Sequence, residues 1–147
     1  MQNELLTILS LREPYFQQML DGKKRFEYRK VYKKIPTVAV VYISQTSQSI
    51  AGVIRFGAPI IDTPVAIAKL AVEHQEGSYE DMMAYFGERK QVYAMPIENI
   101  YLFETPVKRN DIRNKGIVFT PPQSYAHLDV TSDLYTYLAM MKLKQHM

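Results

Sequence analysis

The sequence contains no cysteine and no tryptophan, and it has only 6 glycines and 8 prolines among 147 residues. Without cysteine the chain cannot form disulfides, a thiolate nucleophile, a cysteine zinc site or an iron–sulfur cluster, and it shows no sign of an oxidising compartment. No low-complexity tract is present, and the composition is typical of globular rather than disordered proteins. We therefore expect a globular protein with neither a metal nor a cofactor.

The length of 147 residues suits one domain with an ordinary buried core, so we expect a single domain over 1–147. The apolar start at residues 4–11 lacks a basic segment before it, includes Glu4 and is too short to span a bilayer. We expect a cytoplasmic protein that does not bind membranes.

Positive charge is concentrated near the amino terminus. The net charge of +3 divides into +4 for residues 1–63 and −1 for residues 64–147. Residues 22–34 contain seven lysines and arginines and one acid, Glu27. Because nucleic-acid interfaces are local basic patches, this segment indicates an RNA-facing surface more strongly than the net charge does.

Periodicity and turn residues predict an α+β fold with a curved or closed, mostly antiparallel sheet and flanking helices. Strands are predicted at residues 5–11, 25–32, 38–43, 50–61, 91–95, 97–104 and 117–120, with an edge or a break at Pro96 and a bulge or tight corner at Gly52 and Gly57. Helices are predicted from Pro14 to Gly22 and at 64–76, 78–86 and 132–144. Loops are predicted at 105–116 and 121–125.

Strand alternation would place Arg25, Glu27 and Arg29 on one face of the second strand, and Phe26 and Tyr28 on the other. One interpretation is a solvated strip of ion pairs, which periodicity alone favours. The other is a cleft in which Arg29 presents its planar guanidinium to phosphate or to a base edge. Lys24 is out of phase with Glu27, so it joins such a site only if the chain turns at Gly22 or bulges.

Gly22, Lys24, Glu27 and Arg29 reproduce the pattern G-x-K-x-x-E-x-R, and the chain resembles the ASCH family over about residues 5–128, with 129–147 as a helical extension. The strand, the proline-opened helix and the 121–125 loop are also similar to that family. The resemblance implies a β-barrel related to PUA RNA-binding domains. It further implies a cleft around Lys24, Glu27 and Arg29 that binds RNA or a nucleotide-like ligand, with a role in RNA metabolism or in translation or transcription control.

Some ASCH relatives resemble hydrolases, which leaves a catalytic alternative. Amidohydrolases of acetylated cytidine use the lysine of the pattern, a threonine where this chain has Glu27, and a later glutamate. Here Lys24 and Glu27 are the catalytic candidates, and Glu98 or Glu104 could supply a distant carboxylate. Other relatives resemble ribonucleases.

Two aromatic residues and a serine complete the predicted site. Tyr28 and Tyr125 are candidates for stacking on unpaired bases, and Ser124 is a weaker candidate for ligand contact. Most of the 11 tyrosines and 6 phenylalanines are expected to fill the core. The spacing of His74 and Glu76 matches zinc deaminases, but that chemistry also needs cysteines.

A third interpretation is a protein-interaction module. It is suggested by the acidic second half of the chain and by its methionines at positions 82, 83, 140 and 141. Nothing in the sequence supports a particular protein partner.

Overall fold

The computed structural model describes residues 6–147, in which runs of strands and pairs of helices follow one another as expected of an α+β protein. Their bounds are β1 Leu6–Arg12, α1 Glu13–Leu20, β2 Phe26–Arg29, β3 Thr37–Ser44, β4 Ser49–Phe56, β5 Ile60–Asp62, α2 Pro64–Glu73, α3 Tyr79–Phe86, β6 Val92–Lys108, α4 Arg109–Asn114, β7 Tyr125–His127, α5 Asp133–Ala139 and β8 Leu143–Gln145.

The strands form one mixed, eight-stranded sheet in the order β2-β6-β4-β3-β1-β7, with β5 and β8 also pairing with β6. β1 and β3 run parallel, and the other paired strands of the described chain run antiparallel. The sheet ends on two different strands and is therefore open, curled as a half-barrel with helices at its flanks. The predicted α+β fold with a curved, mostly antiparallel sheet is confirmed, in its open rather than its closed form.

β3 lies in the middle of this sheet and is buried on both faces. Val38, Val40 and Tyr42 pack into one hydrophobic cluster, and Ala39, Val41 and Ile43 pack into another on the opposite face. A run of β-branched residues suits a strand that meets apolar side chains on both sides. The prediction of a central strand at 38–43 is therefore correct.

The predicted edge or break at Pro96 is wrong, because β6 continues through it from Val92 to Lys108 and lies between β2 and β4 in the sheet. Pro96 lies next to a register shift between Arg55 and Phe56 on the neighbouring strand, and irregular positions of this kind tolerate proline. Its carbonyl oxygen still accepts a hydrogen bond from the Gly57 amide at 2.9 Å. Gly57 marks instead the point where the predicted strand 50–61 divides into β4 and β5.

The carboxyl-terminal part also differs from the sequence-based prediction. Residues 105–116 extend β6 and then form α4, and residues 117–120 form no strand. The last helix ends at Ala139, and β8 follows and pairs with β6. The predicted helical extension is therefore a short helix followed by a strand, because an available edge of β6 favours strand pairing over further helix.

Helices α2 and α3 begin at the capping residues that the sequence predicts. Thr63 and Ser78 cap α2 and α3, accepting hydrogen bonds from the amides of Ala66 and Asp81 at 3.2 and 3.1 Å. Such caps satisfy amide groups that the first turn of a helix leaves free. None of the helices in residues 6–147 combines the length and apolar character that a membrane crossing requires.

Candidate functional site

The turn after α1 places the start of the basic segment. Gly22 has a φ of 74°, a left-handed conformation that side chains other than glycine rarely adopt. The amides of Lys23 and Lys24 then both donate to the carbonyl oxygen of Gln18, at 2.9 and 3.1 Å. This turn folds Lys24 back toward the strand that follows.

Lys24 precedes β2, which begins at Phe26, so strand alternation does not constrain it. Its side chain is buried, and its Nζ lies 3.5 Å from Oε1 of Glu27 and 4.6 Å from the ring centroid of Tyr28. The departure from alternation that a joint site requires is therefore present. The interpretation of these residues as a solvated strip does not fit a lysine that is only 7% exposed.

Arg29 completes a buried ion-pair network with Glu27. Its Nε donates to Oε2 of Glu27 at 2.8 Å, and its Nη2 lies 2.6 Å from the same oxygen. The remaining contacts of the guanidinium are the Ser124 hydroxyl at 3.0 Å and the Ser10 carbonyl at 2.9 Å. Arg29 thus ties β2 to β1 and to the proline-rich loop at residues 121–124.

The proline-rich loop is itself fastened to β1. The amide of Ser10 donates to the carbonyl oxygen of Ser124 at 3.0 Å, and the hydroxyl of Ser10 donates to that of Pro122 at 2.6 Å. Tyr125 follows as the first residue of β7, which pairs with β1. These contacts bring Ser124 and Tyr125 to the network formed by Lys24, Glu27 and Arg29.

Glu76 also belongs to this site, and sequence reasoning missed it. Its carboxylate accepts hydrogen bonds from the amides of Arg25 and Phe26, at 2.7 and 3.2 Å, and from the Tyr28 hydroxyl at 2.9 Å. The expected distant carboxylate was Glu98 or Glu104, but neither of them lines the cleft. Only the His74 and Glu76 spacing drew attention to this region. His74 packs against the ring of Phe26, and no cluster of metal-binding side chains occurs within residues 6–147.

The described part of the chain encloses a cleft of about 1120 Å3 above these residues. All of the predicted site residues line it, namely Lys24, Glu27, Tyr28, Arg29, Ser124 and Tyr125. Small-molecule sites typically measure about 300–1,000 Å3, so the cleft has room for more than one nucleotide-sized group. The structure therefore brings the predicted residues together in a concavity suited to a ligand.

The two tyrosines that the sequence favoured differ in accessibility. Tyr28 is only 6% exposed, and burial together with the hydrogen bond to Glu76 raises its pKa well above the usual value for tyrosine. It therefore remains a protonated donor to Glu76 and offers little ring surface. Tyr125 is half-buried, with its ring edge-on to Tyr32 at 4.8 Å. Tyr32 and Tyr42, also considered for stacking, are core residues.

Removing the Glu76 carboxylate is expected to loosen the start of β2. In Glu76→Ala, two backbone amides and the Tyr28 hydroxyl lose their acceptor, which is expected to lower the free energy of unfolding by about 1–3 kcal/mol. Urea denaturation measures this change, and hydrogen exchange at Arg25 and Phe26 should become faster. Glu73→Ala, near the exposed end of the preceding helix, is the matched control. Unchanged exchange at both amides would contradict the assigned role.

Comparison with known proteins agrees with this fold. The family model for the ASCH domain matches residues 9–104. An ASCH protein from Zymomonas mobilis superposes with a TM-score of 0.76 at 16% identity, covering 93% of this chain and 96% of its own. A serine-to-alanine variant of that protein superposes with a TM-score of 0.71 at 15% identity, covering 97% of this chain and 100% of its own. A hypothetical protein from Leishmania major superposes with a TM-score of 0.56 at 8% identity, covering 94% of this chain and 95% of its own.

Sequence comparison with curated proteins finds no significant match. The structural likenesses lie at low identity and establish a shared fold. The family model, in contrast, matches the sequence itself from β1 through most of β6, which is more than half of the chain. The predicted family is confirmed: the chain belongs to the ASCH domain family.

Proposed function

We propose that this domain binds RNA or a nucleotide-like ligand in the cleft that contains Lys24, Glu27 and Arg29. The observation that carries the proposal is that six residues selected from sequence line one cleft beside the basic segment 22–34. Membership of the ASCH family supports PUA-like RNA binding at the level of the family. A role in RNA metabolism or in translation or transcription control follows from such binding.

Exposed cations at the edge of the cleft supply the attraction for phosphate. Lys30 and Arg12 line the cleft and are exposed, and Lys23 and Lys34 are exposed nearby in sequence. Lysines in such positions act as mobile point charges that release counterions from nucleic acid. Lys30 and Arg12 form the rim of the site, whereas the buried Lys24 and the partly buried Arg29 form its floor.

Salt and rim substitutions test this proposal. We expect affinity for a fluorescent single-stranded RNA to fall steeply as salt rises, and replacement of Lys30 and Arg12 by alanine to reduce the salt slope by about one for each residue. The measurement is fluorescence anisotropy over a range of salt concentrations. Lys115→Ala with Lys144→Ala removes the same charge from exposed positions outside the cleft and serves as the control.

Affinity that does not respond to salt would contradict phosphate-led binding. Affinity that survives Lys24→Ala combined with Arg29→Ala, in protein shown by circular dichroism to be folded, would contradict the assignment of the binding site to this cleft. An equal loss in the control pair would assign the attraction to net charge rather than to this cleft.

A hydrolase is the second candidate, favoured by the buried Lys24 and its closeness to carboxylates. Its Nζ lies 3.5 Å from Glu27, and Glu76 lines the same cleft. A lysine and carboxylates in one cleft can share general acid–base work on a modified nucleoside or on an RNA phosphodiester. Incubation with acetylated cytidine and with short RNA tests it, and no product beyond that of Glu27→Ala would exclude it.

A further inference from the structure

The floor of the cleft is electrically balanced. Lys24 and Arg29 supply two positive charges there, and Glu27 and Glu76 supply two negative charges. Nε, Nη1 and Nη2 of Arg29 each already donate to a protein acceptor, which leaves fewer of its five N–H groups for an incoming phosphate. Phosphate gains little at such a floor, because opposite charges and existing hydrogen bonds offset its attraction. The recognition of a nucleic acid here must involve uncharged parts of the ligand.

Exposed aromatic rings line the same cleft. Tyr15 on α1 is 50% exposed and Tyr85 on α3 is 43% exposed, whereas the predicted platform Tyr28 is 6% exposed. Tyr15 makes no ring contact or hydrogen bond within the described chain. The Tyr85 hydroxyl donates to the carbonyl oxygen of Tyr28 at 3.4 Å.

A cation accompanies the second of these rings. The Nζ of Lys30 lies 5.2 Å from the centroid of the Tyr85 ring. A mobile lysine over an aromatic ring can move to the phosphate of an unpaired nucleotide while the base stacks on the ring. The rim thus offers at Tyr85 both a stacking surface and a phosphate contact.

We propose that Tyr15 and Tyr85 are base-stacking residues, and that the cleft therefore selects single-stranded RNA over duplex. This inference rests on the proposed RNA-binding function and deepens it. Bases in a duplex are stacked on one another and cannot reach the two rings, whereas an unpaired strand presents the face of each base. Two platforms in one cleft of about 1120 Å3 match a segment of at least two nucleotides.

Leucine substitutions at the two platforms provide the test. In Tyr15→Leu and Tyr85→Leu, affinity for a labelled ten-nucleotide oligouridine should fall roughly tenfold for each substitution, which is within the range for loss of one stacked base. Tyr85→Phe keeps the ring and should bind within about twofold of the unchanged protein. Tyr79→Leu lies on the same helix, is 38% exposed and does not line the cleft, so it is the matched control. Fluorescence anisotropy measures each affinity, and thermal denaturation verifies folding.

The outcomes separate this inference from the function on which it rests. If the unchanged protein binds neither single-stranded nor duplex RNA, both the proposed function and the stacking role that rests on it are wrong. If it binds RNA but tolerates both leucine substitutions, or binds a ten-base-pair duplex as tightly as the single strand, RNA binding stands and the stacking inference is overturned. A selective loss in the two leucine variants, with Tyr79→Leu unchanged, supports it.

Discussion

Replacing Glu27 with alanine is expected to lower the free energy of unfolding by about 3–5 kcal/mol, which is the range for breaking a buried ion pair by removing one partner. Glu27 is 6% exposed and touches both cations of the floor, Lys24 at 3.5 Å and Arg29 at 2.6 Å. Without its carboxylate, two positive charges remain buried close together with no acid between them. A buried charge without a partner is among the most costly arrangements in a protein.

Urea denaturation of Glu27→Ala and Glu27→Gln measures this effect. The glutamine variant keeps the shape and one acceptor oxygen, so its loss of stability should be smaller than that of alanine. Glu88→Ala, at an exposed position after α3, is the control and should change stability by less than about 0.5 kcal/mol. A loss below about 1 kcal/mol in Glu27→Ala would show that solvent screens the network, as in a surface salt bridge.

The second large effect is expected at Gly52, in the bulged part of β4. A Cβ atom at this position would overlap the backbone carbonyl oxygen of Tyr101 on β6 and would lie 3.3 Å from Cδ2 of Leu102. Backbone in the middle of a sheet cannot move aside as the end of a side chain can. We therefore expect Gly52→Ala to lower the free energy of unfolding by about 3 kcal/mol, the upper part of the range for overpacking.

Gly22→Ala provides the comparison for Gly52. A Cβ at Gly22 meets nothing within 4 Å, but the φ of 74° disfavours any side chain. Gly22→Ala is expected to lower the free energy of unfolding by about 1–2 kcal/mol, from backbone conformation alone. Equal losses at the two positions would contradict steric overlap as the cause at Gly52. Chemical denaturation of both variants, together with backbone amide NMR spectra, distinguishes the two origins.

Local signals account for the parts of the site that lie close together in sequence. The turn at Gly22 and the β2 spacing of Glu27 and Arg29 depend on contacts within a few positions, and both were predicted. The burial of these charged residues was not predictable from their spacing, because an exposed strip and a buried network share the same alternation. Burial is decided by α1, by the proline-rich loop and by the segment after α2, which enclose β2 in the folded chain.

Other features of the fold were predicted incorrectly because they too depend on residues that are distant in sequence. Pro96 looked like the end of a strand, but its effect depends on a register shift in the neighbouring β4. Residues 143 and 144 fell within a predicted helix, yet β6 presents an edge with which residues 143–145 pair. Local propensity is a weak determinant where tertiary pairing offers an alternative.

By itself, the sequence determined the α+β class, most of the helices and strands, the ASCH family and the basic segment that contains Lys24, Glu27 and Arg29. These follow from periodicity, turn residues and short spacings, all of which act between near neighbours. Only the tertiary structure decided that Glu76 holds the start of β2, that Tyr28 is buried and that Tyr15 and Tyr85 border the cleft. Those relations join residues up to about seventy positions apart, and they arise only when the sheet curls and its helices pack against it.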